Sequence, residues 1–263
     1  CIGCGACVGE CTMGLISIVN GKAEIPDTSC IRCGHCFAVC PVNAVSIKGY
    51  EKAEYDEIEN DGPVLDPEEL LKAMKQRRSI RNFTDKKVSG EQMEKILEAI
   101  KYAPTGRNSQ NVILTLIEDK LPEFTLHTME ILNELPDNIP DGVSDYMRNT
   151  IKMYQPRWNQ MLTRYKEKGV DRLFFKAPSV LVISAKSDVD GAIAAAYAEL
   201  MINSLGLGCV YVGFVKIASY DKRIKEYLNI PSGYDIACTL AIGHPNVKFR
   251  RTAQRKDRRL TRL

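Results

Sequence analysis

The chain has 263 residues, of which 44% are hydrophobic and 26% are charged, and its formal net charge is +3. This composition excludes a disordered chain and predicts one medium globular domain with a small second domain. The longest apolar stretches, 180–184 and 192–198, are shorter than the ~20 residues that a membrane-spanning helix needs, and no signal segment opens the sequence. We therefore expect a soluble protein with no membrane partner.

Charge is unevenly distributed along the chain. Residues 246–263 include eight Lys or Arg and one acidic residue, Asp257, so this tail carries +7, which leaves −4 for residues 1–245. A basic tail suits a nucleic acid, a membrane surface or a single bound phosphate. Because the tail has a single aromatic side chain, Phe249, rather than several interleaved ones, and the rest of the chain is net acidic, we expect no nucleic-acid partner.

Eight of the ten cysteines lie within the first 40 residues, in two runs with the spacing C-x-x-C-x-x-C-x-x-x-C. The runs are Cys1, Cys4, Cys7 and Cys11, and then Cys30, Cys33, Cys36 and Cys40. A disulfide framework would suit a secreted mini-protein, and zinc ribbons usually come as two separated C-x-x-C pairs. The tandem runs instead favour iron–sulfur chemistry, in which three closely spaced thiolates wrap one corner of a cubic cluster.

Residues 1–50 resemble the two-cluster bacterial ferredoxin family, in which the fourth cysteine of each run binds the cluster of the other run. The resemblance implies a ferredoxin-like domain that holds two [4Fe-4S] clusters. One cluster would be bound by Cys1, Cys4, Cys7 and Cys40, and the other by Cys11, Cys30, Cys33 and Cys36.

A domain boundary and two helix starts follow the cysteine runs. Residues 51–65 are acidic and have no sustained apolar period, which predicts a linker. Asp66 before Pro67 is typical of a helix N-cap, and we expect that helix to end near Gln76. Ser89, followed three residues later by a glutamine, is typical of a capping box at the start of an amphipathic helix.

The remaining sequence, residues 66–263, predicts a mixed α and β domain. Strand-like runs at 112–117, 179–185 and 236–242 are separated by helical stretches that include 191–205 and 221–228, whereas residues 121–172 have no clear assignment. The helix at 191–205 is apolar on nearly every face. It therefore belongs in the centre of the domain or at a subunit interface.

Two polar motifs lie between these elements. RRSIRNF places Arg77, Arg78 and Arg81 around the hydroxyl of Ser79. This pattern predicts either a basic helix end that complements its own dipole or a phosphate clamp made of guanidinium forks. The sequence APTGRNSQN, at 103–111, is a polar loop whose amide side chains suit the edge of a flavin ring.

These motifs resemble the FMN-dependent nitroreductase family when they are combined with AAAYAELMINSLGLG, CVYVGF and LAIGHP followed by a basic run. The resemblance covers about residues 68–263. It implies an α/β sandwich in which helices flank a mixed sheet. It also implies FMN as the cofactor and a homodimer with both FMN sites at the subunit interface.

The nitroreductase resemblance also implies roles for individual residues. Arg77, Arg78 and Ser79 would hold the FMN phosphate, and Arg81 would approach the pyrimidine side of the ring. Pro104, Thr105, Gly106 and Asn108 would line the ring, with Gln110 nearby. Val212 and Gly213 would lie close to N5 of the flavin, and Arg251 or Arg255 would close the phosphate site.

Together, the two resemblances predict an α+β iron–sulfur flavoprotein. Electrons would pass from the clusters to FMN and on to an electron-poor small molecule such as a nitroaromatic, a quinone or an activated alkene, with no catalytic side chain. The alternatives are a reductase with a dedicated metabolic substrate and a non-catalytic electron-transfer adaptor. Ferredoxin or NAD(P)H would be the donor, and the cytoplasm, where thiols stay reduced, would be the location.

Overall fold

A computed structural model describes residues 1–26, 28–50, 55–58 and 65–263. The chain divides into two compact units, the first made of Cys1–Val64 with Thr105–Ser109, and the second made of Leu65–Pro104 with Gln110–Leu263. Most of the predicted linker, 51–65, lies outside the described residues.

The first unit contains two short helices and a hairpin. They are α1 (Ala6–Glu10), β1 (Ser17–Val19), β2 (Lys22–Glu24) and α2 (His35–Ala38). The antiparallel strands are joined through Asn20 and Gly21, whose φ values of 50° and 73° are those that a tight two-residue hairpin turn requires. Among the described residues of this unit, the buried hydrophobic side chains are Cys7 and Ile16. The unit therefore has almost no apolar core.

The second unit is built on a four-stranded sheet. Its strands are β3 (Val112–Ile117), β4 (Ser179–Ala185), β5 (Gly208–Tyr211) and β6 (Asp235–Gly243). They lie in the order β3-β4-β6-β5. The strands predicted at 112–117 and 179–185 are confirmed, and that predicted at 236–242 is one residue longer at each end.

All three pairings of this sheet are antiparallel among the described residues, so the parallel pairs of the expected mixed sheet are not found there. The reason lies in the connection from β4 to β5. A helical crossover makes these two strands run in the same direction, as the alternation of strands and helices indicates. However, β6 lies between them and pairs antiparallel with both.

Seven α-helices accompany the sheet within the described part of the second unit. They are α3 (Pro67–Gln76), α4 (Gly90–Lys101), α5 (Leu121–Glu134), α6 (Asp145–Lys168), α7 (Asp188–Ser204), α8 (Gly213–Ala218) and α9 (Lys222–Tyr227). None of the helices in the described residues is both long and apolar enough to cross a bilayer.

The predicted helix starts are confirmed. The Asp66 carboxylate accepts hydrogen bonds from the backbone amides of Glu68 and Glu69, both at 2.9 Å. Ser89 and Gln92 form the reciprocal pair of bonds of a capping box at the start of α4. Because these caps satisfy amides that the helix itself cannot pair, they fix where each helix begins.

Alternate residues of the sheet pack into two different cores. Val180 and Val182 of β4 join a cluster with α5, α6, α8 and α9, whereas Leu181 and Ile183 join a cluster with α4 and α7. All seven residues of β4 are buried. Since successive side chains of a strand point to opposite faces, the sheet is covered by helices on both sides, which confirms the nitroreductase-like α/β fold class.

One face of α7 is buried and another is exposed. Gly191 lies so close to β6 that a methyl group there would overlap Ala237. On the opposite side, Val189, Tyr197 and Leu200 are exposed in the single chain. Packing within this chain therefore explains only part of the apolar character of α7.

Candidate functional site

Two cavities in the first unit are lined by cysteines. Their volumes are about 250 Å³ and about 290 Å³. The smaller cavity is lined by Cys1, Cys4, Cys7 and Cys40, and the larger by Cys11, Cys30, Cys33 and Cys36. Each cavity thus takes three thiols from one run and the fourth from the other run, in the two sets of four that the ferredoxin resemblance implies.

The four thiols of each set are spread around their cavity. Within the described ranges, no three His, Cys, Asp or Glu side chains are placed as ligands of one metal ion. A cubic iron–sulfur cluster presents its irons at separate corners, so its four thiolates need to border a cavity rather than meet at a point. The arrangement fits a cluster of that kind.

A glycine shapes the same turn in both runs. Gly5 and Gly34 precede α1 and α2 with φ values of 78° and 81°, in the left-handed region. This conformation is accessible to glycine without the steric cost that a Cβ brings. It turns the chain between the second and third cysteines of each run, so that both line the same cavity.

Cys11 and Cys40 are the two cysteines that line the cavity of the other run, and backbone amides donate to their sulfurs. The Leu15 amide donates to Cys11 Sγ at 3.4 Å, and the Ala44 amide donates to Cys40 Sγ at 3.2 Å, four residues along the chain in each case. These bonds are the main cause that lowers the pKa of both thiols. They favour the thiolate, which is the form that binds iron.

Burial acts in the opposite direction at Cys36. It is the main cause that raises the pKa of this thiol, because the anion loses its hydration. A nearby positive charge would restore the thiolate at this position. An iron ion supplies such a charge to a bound sulfur.

The second unit contains a basic cavity of about 550 Å³. Its lining includes Arg77 and Arg78 from the segment after α3, and Lys248, Arg250 and Arg251 from the segment after β6. The cavity therefore gathers five cationic side chains, the electrostatic environment that a phosphate group requires.

Backbone pairing brings these two segments together. Phe83 forms an isolated antiparallel bridge with Pro245. The Thr84 amide donates to the His244 carbonyl, and the Asn246 amide donates to the Asn82 carbonyl, both at 2.9 Å. The RRSIRNF motif and the start of the basic tail consequently run side by side.

A cation–π contact also orders the tail. The Arg78 guanidinium carbon lies 5.2 Å from the centre of the Phe249 ring. Such a contact contributes about 0.5–1 kcal/mol where it is exposed to solvent. It keeps the tail beside Arg78, and therefore keeps the tail cations at the cavity.

Glu199 is a cavity residue that sequence reasoning missed. Its carboxylate accepts a hydrogen bond from Arg77 Nη1 at 2.7 Å, and both side chains are largely buried. Burial raises the pKa of Glu199, and Arg77 opposes that effect. The sequence could have pointed to Glu199, because it is the single charged residue in the apolar stretch 191–205. A charge inside a core needs a partner.

Cys209 also borders the basic cavity, and its thiol is protonated at neutral pH. Burial is the main cause that raises the pKa of Cys209 to about 12, and the neighbouring Glu199 carboxylate adds to it. A thiolate is the reactive form of cysteine. The chemistry of this cavity therefore rests on its cations.

Several residues implied by the nitroreductase resemblance lie away from the basic cavity. Ser79, which is partly buried, and the exposed Arg81 are not among its lining residues. Arg251 lines the cavity, whereas Arg255 does not and its Nη1 donates to the Gln254 carbonyl at 3.5 Å. Of the two tail arginines considered for the phosphate site, only Arg251 lines the basic cavity.

Val212 and Gly213 line a separate cavity of about 260 Å³ in the second unit. Tyr211 and Lys216 also border it, and Lys216 Nζ lies 2.6 Å from the Asp188 carboxylate. Its lining is mainly apolar, in contrast to that of the basic cavity.

The polar loop at 103–111 is divided between the units. Thr105, Gly106 and Asn108 belong to the first unit, whereas Pro104 and Gln110 belong to the second and are exposed. The Asn108 side-chain amide donates to the Arg32 carbonyl at 2.8 Å. This contact connects the loop to the second cysteine run.

Comparison with known proteins assigns both parts of the chain. Residues 74–244 match the model of the nitroreductase family, and residues 1–44 match the model of a 4Fe-4S dicluster domain. The chain therefore belongs to the nitroreductase family and carries a 4Fe-4S dicluster domain at its N-terminal end. Both resemblances that the sequence indicates are confirmed.

Individual relatives agree with this assignment. The chain is 31% identical to an FMN reductase (NAD(P)H) of Bacillus subtilis over 182 residues, which cover 67% of this chain and 66% of that protein. It is 25% identical to an NADPH-dependent oxidoreductase of Staphylococcus haemolyticus over 177 residues, 65% of this chain and 63% of that protein. The chain thus spans slightly less than two thirds of the length of each relative.

A solved structure shares the fold. The crystal structure of a nitroreductase with bound FMN from Desulfitobacterium hafniense superposes with a TM-score of 0.54 and 24% sequence identity. The superposition covers 74% of this chain and 98% of that chain.

The position of Glu199 predicts a pH effect on stability. Because its pKa is raised in the folded protein, its contribution to stability is fully present at low pH and is lost as pH rises through that raised pKa. Glu199→Gln cannot ionise. We therefore expect the free energy of unfolding of Glu199→Gln, relative to the native protein, to increase from pH 5 to pH 7 in urea titrations.

The same comparison in an Arg77→Gln background provides the control. Arg77 opposes the effect of burial, so removing it enlarges the increase between pH 5 and pH 7. If the relative stability of Glu199→Gln instead falls as pH rises, attraction to Arg77 outweighs burial and the expected direction is wrong.

Proposed function

We propose that this chain is an iron–sulfur flavoprotein oxidoreductase. Two [4Fe-4S] clusters pass electrons to FMN, and these electrons then reduce an electron-poor organic molecule such as a nitroaromatic, a quinone or an activated alkene. The observation that carries the proposal is the grouping of eight thiols into two cavities of four, each of which takes one thiol from the other run. Residues 1–50 form the cluster domain and residues 66–263 the flavin domain.

The basic cavity supports the FMN part of the proposal. Arg77, Arg78 and Arg251 bind the phosphate, and Lys248 and Arg250 add positive charge around it. Two relatives of this chain are named for FMN, as an FMN reductase and as a nitroreductase with bound FMN. A phosphate in this cavity would be held by charge-assisted hydrogen bonds, which are about twice as strong as neutral ones.

The residues around the cofactors have different tasks. When bound, FMN supplies the exchange between one-electron and two-electron transfer. Glu199 restrains Arg77 through their ion pair. Val212 and Gly213 present backbone at the apolar cavity, and Arg81 favours negative charge on the ring. In this proposal no side chain of the protein acts as a nucleophile.

The other expected cofactor contacts are retained in the proposal. They are Ser79 at the phosphate, and Pro104, Thr105 and Gly106 at the ring, with Gln110 nearby. The exposed face of α7, which contains Val189, Tyr197 and Leu200, supports a homodimer, because burying these apolar side chains against a second copy removes them from water. Reduced ferredoxin or NAD(P)H is the donor, and the protein acts in the cytoplasm.

Stepwise reduction tests the proposed electron path. Anaerobic protein is incubated separately with NADH, NADPH and reduced ferredoxin, and then with a nitroaromatic, a quinone or an enone. We expect one donor to bleach the flavin absorbance and one class of acceptor to restore it. A protein that holds FMN but is reduced by none of the three donors would contradict the proposed path.

Double cysteine substitutions test the ligand sets. With crosswise pairing, Cys11→Ala with Cys33→Ala damages one cluster, and about half of the iron remains, roughly four of eight atoms per chain. Cys11→Ala with Cys4→Ala damages both clusters and removes most of the iron. Iron analysis of the anaerobically purified variants distinguishes them. The reverse order of iron contents would show that each run binds its own cluster.

Two tail arginines provide a matched test of the phosphate site. Arg251→Ala removes a cation from the basic cavity, whereas Arg255→Ala removes one that lies outside it. Losing a charge-assisted hydrogen bond costs about 1.5–3 kcal/mol, so we expect the Kd for FMN to rise about tenfold to a hundredfold in Arg251→Ala. Flavin fluorescence titration measures this Kd. A larger effect in Arg255→Ala would place the phosphate elsewhere.

A further inference from the structure

Asn108 contacts the segment between two cysteines of the second run. Its loop, Thr105–Ser109, belongs to the first unit, and its Nδ2 donates to the Arg32 carbonyl oxygen at 2.8 Å. Arg32 lies between Cys30 and Cys33, both of which line the larger cysteine cavity. The contact therefore reaches the backbone that shapes this cavity.

Both backbone polar groups of Arg32, the amide and the carbonyl, form hydrogen bonds. Its own amide donates to Cys30 Sγ at 3.4 Å, while its carbonyl accepts the bond from Asn108. Its φ of 53° lies in the left-handed region. For a residue other than glycine this conformation costs about 1–2 kcal/mol and needs support from its surroundings. The Asn108 bond supplies such support at the carbonyl of the same residue.

We propose that Asn108 is a positioning residue for the cavity lined by Cys11, Cys30, Cys33 and Cys36. By holding the Arg32 carbonyl, it keeps the Arg32 amide directed at Cys30 Sγ. The inference rests on the proposed function, in which this cavity holds a [4Fe-4S] cluster. Hydrogen bonds to the ligand sulfurs are among the factors that set the reduction potential of such a cluster.

The direction of the effect follows from electrostatics. A reduced cluster carries one more negative charge than an oxidised cluster, and an N–H group presents its positive end to the sulfur. The bond therefore stabilises the reduced form more than the oxidised form. Loss of the Asn108 contact loosens this amide and makes the reduction potential more negative.

This role differs from the one that the nitroreductase resemblance implies, in which Asn108 lines the FMN ring. The two roles predict different losses. A ring contact affects FMN binding and leaves the cluster potentials unchanged, whereas the positioning role shifts the potential of one cluster and leaves the FMN content unchanged.

The test uses the full chain with both cofactors, purified without oxygen. Asn108→Ala removes the hydrogen bond, and Asn108→Gly removes it without the cost of a left-handed alanine, since the φ of Asn108 is 50°. Redox titration followed by electron paramagnetic resonance gives the cluster potentials, and flavin analysis gives FMN per chain. We expect both variants to shift one cluster to a more negative potential and to retain FMN.

Asn43→Ala is the matched control. Asn43 also has a left-handed conformation, with φ 47°, and its Nδ2 donates to the Tyr55 hydroxyl at 2.9 Å, so it loses a comparable bond elsewhere in the unit. Asn43 lies beside Cys40 of the smaller cavity, so the potential of the cluster in the larger cavity should equal that of the native protein. A shift of that potential in Asn43→Ala as large as in Asn108→Ala would overturn the inference, because any loosening of the unit would then have the same effect.

Other outcomes also overturn the inference. Unchanged potentials with loss of FMN would assign Asn108 to the flavin, and a shift in Asn108→Ala that is absent in Asn108→Gly would assign the effect to backbone strain. Native protein without iron would instead refute the proposed function itself. Iron analysis of the native protein, performed first, separates the two failures.

Discussion

The sharing of thiols between the two cysteine runs is the constraint on which the first unit depends. Each cavity joins one run to the other, through Cys40 in the smaller cavity and Cys11 in the larger. Many apolar side chains of this unit, including Ile2, Val8 and Met13, are exposed, and a segment of this size buries too little surface to be stable through apolar contacts alone. If clusters fill the cavities, their binding free energy becomes folding free energy.

The second unit is stabilised in a different way, and its basic cavity lies at the edge of its core. The sheet is buried on both faces, so this unit has an apolar core of its own. The cavity is formed by the segments that follow α3 and β6, and it gathers like charges that repel one another. Glu199 relieves part of this repulsion by pairing with Arg77, which leaves the remaining cations to face an anion.

Local features of the sequence were the most predictable. The cap residues Asp66 and Ser89 act on amides within the next few residues, and β4 is a continuous apolar run, so neither depends on distant parts of the chain. The hairpin of β1 and β2 and the strand β5 were missed because each strand has only three or four residues. The position of β6 between β4 and β5 could not be read from the sequence, because it follows from long-range pairing.

The candidate sites also divide into features that the local sequence predicts and features that only the folded chain brings together. The cysteine sets could be predicted because the repeated spacing carries the resemblance to two-cluster ferredoxins, and that resemblance implies the crosswise sets. The partnership of Arg77 with Glu199, 122 residues later, exists only in the folded chain. The loop with Asn108 is the most instructive case, because the family resemblance implies a flavin contact for a residue whose side chain bonds to the cysteine-bearing unit. In this chain the same loop contacts the Arg32 backbone beside a cysteine sulfur. A role that is transferred by resemblance therefore holds only where the surroundings of the residue are also retained.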